Sequence, residues 1–236
     1  MGRPTRALLT SEGIARAALR VVDEEGPDGL TMRALAERLG VKAASLYNHI
    51  QSKDALVDAV SELVNDEIDH TPLADPDWRA GLAAYARGYR AVFLRHPNTI
   101  ALLARRRVEA DRALRGYDTL LATLGRAGLD PADAAETAAA LDYLVLGSAL
   151  ETFTAGFTRT PDAYRPDYPA LADSLEASFA RGGASDLDDR GFELGLRLLL
   201  DGVEHRGHVT PADTPPAGTP PTGTPPTACV PDPTAR

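Results

Sequence analysis

Residues 30–56 read LTMRALAERLGVKAASLYNHIQSKDAL, and this stretch decides the fold. Thr31 can cap a helix whose apolar positions, Met32, Leu35, Ala36 and Leu39, recur at three- and four-residue steps. Gly40 supplies the left-handed residue that ends it, and Val41 can pack into the angle that follows. Lys42 to His49 then give about two further turns, with Ala44, Leu46 and Ile50 available to the core. Lys42, Ala43, Ser45, Tyr47, Asn48 and His49 are left to face outward. Small, hydroxyl, amide and aromatic groups beside basic ones suit a helix lying in the major groove of DNA.

Working outward, Thr10 or Ser11 starts a first helix that runs to Glu25, with Ile14, Ala17, Ala18, Val21 and Val22 on one face. Gly26-Pro27-Asp28-Gly29 ends it. Ser52 can cap a fourth helix from Lys53 to about Asp69. Thr71-Pro72 to Asp75-Pro76 breaks the chain, and the boundary between an N-terminal head (10–70) and a body (76–206) falls here. The body reads as helical throughout, over about 76–95, 97–107, 109–127, 131–157, 168–181 and 188–205. Pro76, Pro97 and Pro131 sit where a first helical residue tolerates a missing N–H. No stretch alternates apolar and polar residues as a half-buried strand would. The expected class is all-α.

Beyond about residue 207 the character changes. Nine of the 18 prolines lie from Val209 onward, in the repeat Thr-Pro-Pro-Ala-Gly, Thr-Pro-Pro-Thr-Gly, Thr-Pro-Pro-Thr-Ala. Such a segment buries almost nothing against its ordering entropy, so residues 207–236 are expected to be a disordered, partly polyproline II tail.

Charge is uneven. Up to Lys53 there are eight Lys or Arg against six Asp or Glu, a net of +2, which leaves −11 for the remainder of a chain whose total is −9. Both lysines, Lys42 and Lys53, fall in the head. A near-neutral to basic head on an acidic body fits a module that meets phosphate at one end only. The single cysteine, Cys229, cannot form an intrachain disulfide. There is no signal-type apolar segment and no run long enough to span a bilayer. A soluble protein of a reducing compartment is expected. Without a phosphate-binding glycine loop, nucleophile elbow or metal-ligand set, an enzyme is not expected, nor are a cofactor and a metal.

The string Leu30, Thr31, Arg33, Leu35, Ala36, Leu39, Gly40, Val41, Leu46, Tyr47, His49, Lys53 and Leu56 resembles the DNA-binding head of the tetracycline-repressor (TetR) family of bacterial regulators. More loosely, His96-Pro97, Gly125–Leu129 and Leu146–Glu151 resemble that family's C-terminal domain. The resemblance implies a bacterial cytoplasmic regulator, on the nucleoid when DNA-bound. It implies a homodimer on an inverted-repeat operator, released by a small-molecule effector. A DNA-binding activator or an effector-independent regulator of the same fold is the alternative.

For phosphate contacts, Lys53 sits at the start of the fourth helix, and Thr31, Tyr47 and His49 have donors to join it. For bases, Arg33 and Lys42 can donate to guanine, Asn48 can bond adenine, Ser45 is adaptable, and Ala43 and Ala44 can meet a thymine methyl. Tyr47 has a second reading, packing the head against the first helix. A two-turn reader helix offers few contacts, so two heads on a two-fold axis are needed. Residues 131–157 and 188–205 are the expected pairing helices, through Ala138, Leu141, Val145, Ala149, Leu194, Leu198 and Val203.

Aromatics that would line an effector pocket include Trp78, Tyr85, Tyr89, Phe93, Tyr117, Tyr143, Phe153 and Phe157, with plain core as the other reading of each. Asp142 and Glu151 are carboxylates on otherwise apolar helices and need a partner: a ligand, an arginine such as Arg105, or water. The expected effector site is therefore Tyr89, Phe93, Arg105, Tyr117, Asp142 and Glu151. The family's metal–tetracycline binders use histidines from the fourth and sixth helices. Here the corresponding stretches, Asn65–Asp69 and Thr99–Ala104, contain none, so a metal–tetracycline chelate is not the expected effector.

Overall fold

The structure, a computed structural model, describes residues 9–103, 108, 110–150, 156–183 and 186–208. Among these there is no strand. In the head, α1 (Ser11–Glu25) begins where the Thr10 hydroxyl accepts from Gly13 N–H and ends at Gly26, whose φ of 78° stops the helix. Helix α2 (Met32–Leu39) is capped by Thr31, which accepts from Ala34 N–H at 3.1 Å. Gly40 is left-handed at φ 64°, and Val41 N–H closes back onto Ala36 O. Next come α3 (Ala43–Tyr47) and α4 (Lys53–Asp66), the latter capped by Ser52.

The reader helix is shorter than the two turns expected, because the chain turns at Asn48 and re-enters the core at Ile50. Its buried phase also differs by one position. Ala44 is exposed and Ser45 half-buried, so the core takes Leu46 and Ile50 but not Ala44. The fourth helix stops at Asp66 rather than Asp69.

The body consists of α5 (Trp78–Arg95), α6 (Ile100–Leu103), α7 (Asp111–Arg126), α8 (Pro131–Ala149), α9 (Pro161–Tyr164), α10 (Pro169–Ala180) and α11 (Leu187–His208). Pro131 opens α8 as expected, but Pro76 does not open α5. Asp77 is the cap, accepting from Arg79 and Ala80 N–H, and this moves the start to Trp78. The described part of α8 ends at Ala149, and α9 was not anticipated, since four residues show no periodicity. Arg105, Glu151, Phe153 and the Thr-Pro-Pro tail lie outside the described residues.

The stretch between head and body is not a loose linker. Leu73, in a 3₁₀ turn (Thr71–Ala74), is fully buried, and its carbonyl accepts from Thr123 Oγ1 at 3.1 Å and Arg126 at 2.7 Å. One apolar core runs without interruption from Ile14 of α1 to Val203 of α11. Within it α1 packs on α4, α5 on α8, and α8 on both α7 and α11. Gly195 lets α11 approach α8 closely, since a Cβ there would sit 2.7 Å from a Leu144 methyl. Helices α9 and α10 gather a second, small core around Tyr164, Ala172 and Leu175.

Candidate functional site

Two sites are built by this frame. The first is the outer face of the head. Thr31, Arg33, Lys42, Ala43, Ala44, Tyr47, Asn48, His49 and Lys53 are all exposed, with Ser45 half-buried behind them. Tyr47 is 51% exposed, so its ring projects from the head rather than filling it. The face is held from behind: Leu46 is fully buried, and the Ser11 hydroxyl donates to His49 O, which ties the end of α3 to α1. Lys53 stands in the first turn of α4, beside amides that the Ser52 cap leaves partly free, a favourable place for a phosphate. The Thr31 oxygen serves the α2 cap and keeps its proton to donate. Arg33 shares its guanidinium with Glu37 at 3.0 Å, an exposed pair worth little and readily exchanged for DNA.

The second site lies inside the body. Tyr85, Tyr89 and Phe93 recur at four-residue steps on α5, the first two rings tilted with centroids 5.8 Å apart and the last two edge to face at 5.5 Å. His70 continues the ladder, 5.5 Å from Tyr85. Across it, the Tyr117 hydroxyl donates to Asp142 at 2.7 Å, and the Tyr89 hydroxyl faces the same carboxylate. Asp142 thus finds two tyrosine hydroxyls, a partner type its sequence context did not indicate. Burial raises its carboxyl above the usual aspartate value, against the opposing pull of the two hydroxyls. Burial, followed by the nearby Asp142 charge, pushes the phenols of Tyr85, Tyr89 and Tyr117 well above the ordinary tyrosine range. The His70 imidazole is lowered by burial and then by Arg112.

Of the expected effector residues, the structure brings together Tyr89, Phe93, Tyr117 and Asp142. It does not bring in Tyr143, which is 77% exposed on the opposite face of α8, or Phe157, which packs in the small α9–α10 core. Sequence reading missed His70, which looks like a loop residue. The signal for it is Gly116: a Cβ there would lie 2.2 Å from His70 Nε2. Gly116→Ala is therefore expected to push the ring out of the ladder and destabilise the protein by about 1–3 kcal/mol, read by thermal or urea unfolding.

Arg90 was also missed. It is buried between α5, α8 and α11, donating to Ser148 Oγ at 3.1 Å and Asp189 at 2.6 Å. Its guanidinium lies 4.8 Å over Phe192, and its Nη2 has no hydrogen-bond partner among the described residues. No group of three or more His, Cys, Asp or Glu among the described residues is placed to hold a metal, and no described helix is long and apolar enough to cross a membrane.

A helix-turn-helix head with its reading face outward, fused through a shared core to a helical body with a buried polar–aromatic cluster, defines an effector-sensing DNA-binding regulator. Comparison with known proteins gives the family. Residues 14–60 match the model of bacterial regulatory proteins of the tetR family, and residues 71–206 match the tetracyclin repressor-like C-terminal domain. The class A tetracycline repressor from transposon 1721 of Escherichia coli is 35% identical over 204 residues, covering 84% of this chain and 92% of that protein. The crystal structure of ActR from Streptomyces coelicolor in complex with actinorhodin aligns at a TM-score of 0.67 and 29% identity, over 84% of this chain and 96% of that one. A TetR variant from Acinetobacter baumannii in complex with minocycline aligns at 0.65 and 30%, over 86% and 97%. The chain belongs to the TetR family of ligand-responsive transcriptional repressors.

Proposed function

We propose that this protein holds an inverted-repeat operator as a homodimer in the bacterial cytoplasm and leaves it when a mid-sized, partly aromatic compound enters the body. The supporting observation is the position of the Tyr85–Tyr89–Phe93 ladder on α5, the first helix of the body, with Asp142 packed against it from α8. A compound seated there acts on α5, which shares its core with α1 and α4. The reader face supplies DNA contacts: Lys53, Tyr47, Thr31 and His49 to phosphate, and Arg33, Lys42, Ala43, Ala44, Ser45 and Asn48 to base edges. Rings and one carboxylate suit an aromatic, hydrogen-bonding effector. Actinorhodin and minocycline, bound by the two solved relatives, are both of that chemical kind. Arg105 and Glu151 complete the proposed set.

The test is release of the purified dimer from the DNA upstream of its gene, titrated with a panel of aromatic polyketides. Absence of binding to any upstream inverted repeat would end the proposal.

Asp142→Asn keeps an acceptor for both tyrosine hydroxyls, so repression should survive while the effector concentration needed for release rises by roughly tenfold, the worth of one charge-assisted hydrogen bond. The same variant has a stability signature. Because the folded protein raises the Asp142 carboxyl, it binds that proton more tightly than the unfolded chain does. Wild-type stability therefore carries a contribution that is lost as pH rises above the ordinary aspartate value and through the raised one. Melts of the Asp142→Asn variant should lack that component. Asp142→Ala is a poorer probe, because it strands two phenols and should cost about 1–3 kcal/mol.

A further inference from the structure

Among the described residues, Asp142 is a carboxylate that no cation answers. Its own helix, α8, carries no lysine or arginine. The arginines of the two helices that share its cluster are engaged elsewhere. On α5, Arg79 pairs with Asp201 and Glu204, Arg87 with Glu193, Arg90 with Asp189 and Arg95 with Glu67. On α7, Arg112 pairs with Asp66, Arg115 with Asp111, and Arg126 donates to the Leu73 carbonyl. His70, stacked beyond Tyr85, is held below the ordinary imidazole value by burial and then by Arg112. Both lysines of the chain, Lys42 and Lys53, stand on the head.

What does surround Asp142 is aromatic. Tyr117 donates to it at 2.7 Å, the Tyr89 hydroxyl faces it, and Tyr85 and Phe93 flank Tyr89 along α5. Asp142 and Tyr117 are only partly buried, whereas Tyr85, Tyr89 and Phe93 are buried, so the charge stands at the accessible edge of the ring cluster. A carboxylate has about four lone-pair sites, and two phenols leave some of them for another donor. Hydroxyls satisfy oxygens but do not neutralise them. The faces of aromatic rings are negative as well, so carboxylate and rings together favour positive charge. An acidic ligand would set two like charges together at low dielectric. A neutral one would bury the carboxylate further without a counter-charge.

We infer that this cluster is an organic-cation site: it takes an aromatic compound bearing a protonated or quaternary amine, with the nitrogen held by Asp142 and the rings of Tyr85, Tyr89 and Tyr117. Asp142 is then the specificity-determining residue, and it selects by charge. The inference deepens the release reading above and rests on it for the pocket's role, since it narrows the effector from an aromatic compound to a cationic one.

The experiment uses the full-length protein and four synthetic probes built on one dibenzo-fused tricycle. The first carries a dimethylaminopropyl chain and the second its trimethylammonium form. The third has carbon in place of the amine nitrogen, and the fourth ends in a carboxylic acid. Affinity is measured by calorimetry without DNA, and release from the operator is measured separately. Both cations should bind the wild type roughly tenfold or more tightly than the carbon isostere, the worth of a charge-assisted contact out of water. The acid should bind more weakly than the isostere. Asp142→Asn should bring both cations down to the isostere's affinity and leave the isostere unchanged. Cations that bind no better than the isostere, or an acid that binds best, would overturn the inference; an Arg105 side chain already paired with Asp142 would show itself in that way. If Asp142→Asn does not fold, the four probes on the wild type decide alone. A protein that binds the cations through Asp142 yet stays on its operator keeps the site and sinks the release reading. One released by the isostere or the acid but not by the cations keeps the release reading and sinks the site.

Discussion

Leu198→Glu should leave the helical fold intact, convert the protein to a monomer, and weaken operator binding by about 10²–10⁴-fold, the advantage that two linked heads hold over one. The reason lies on the outer face of α8 and α11. Tyr143 is 77% exposed, Leu198 63%, Leu194 50% and Leu150 47%, on two helices that pack side by side. A long apolar face is not left to water in a lone chain without a reason. Against a two-fold copy it would close a four-helix bundle, with the partner's α8 and α11 as the other half. In such a bundle Leu198→Glu would bury two like charges near the axis, one from each protomer, and each would lack a counter-charge. In the single chain the side chain is already solvated, so the substitution should move monomer stability by no more than about 0.5 kcal/mol. Sedimentation velocity at micromolar concentration and operator titration check both halves. A dimer that persists with full affinity would place the interface elsewhere.

The two faces of these helices show what a sequence reveals and what it hides. Ala138, Leu141, Val145, Ala149 and Val203, read as pairing residues, are buried within the chain's own core, whereas Leu194 and Leu198 are the ones left outside. Helical periodicity marks every apolar position on a helix with two buried sides but does not say which side faces its own chain. The head was more legible, because its signals are local. Thr10, Thr31 and Ser52 accept hydrogen bonds from N–H groups three residues on, and Gly26 and Gly40 have positive φ. Its slip in phase, Ala44 for Ser45, arose because five residues of helix do not fix a phase, and its two helix ends were overrun because no local signal stops α3 at Tyr47 or α4 at Asp66.

The body's chemistry was half legible for the same physical reason. Asp142 stood out as a charge in an apolar run, and so it was found. Its two tyrosine partners lie 25 and 53 positions away, on α7 and α5. His70 and Arg90 have no apolar run of their own to stand out against. They acquire meaning only through Gly116 and Phe192, contacts of long sequence separation that no local pattern encodes.

Lys53→Ala and Tyr47→Ala should each weaken operator binding strongly, and for different reasons that salt separates. If Lys53 neutralises one phosphate per head, removing it from both heads of a dimer should flatten the dependence of log K on log salt by about 0.9 per head, and the loss should be similar on any DNA sequence. Tyr47 carries no charge, so its removal should leave the slope unchanged. One hydroxyl bond to a phosphate oxygen is worth about 1.5–3 kcal/mol, so at least tenfold per head and a hundredfold per dimer is expected. Tyr47→Phe separates the two roles of the ring: if the hydroxyl binds phosphate, Phe loses nearly as much as Ala, and if the ring packs, Phe is close to wild type. The 51% exposure of the side chain favours the first outcome. It also predicts that neither tyrosine variant shifts the melting midpoint appreciably. Unchanged affinity in both Lys53→Ala and Tyr47→Ala would mean that DNA meets some other face of the head. The rigid turn built by Gly40, Val41 and Leu46 would then be structural only.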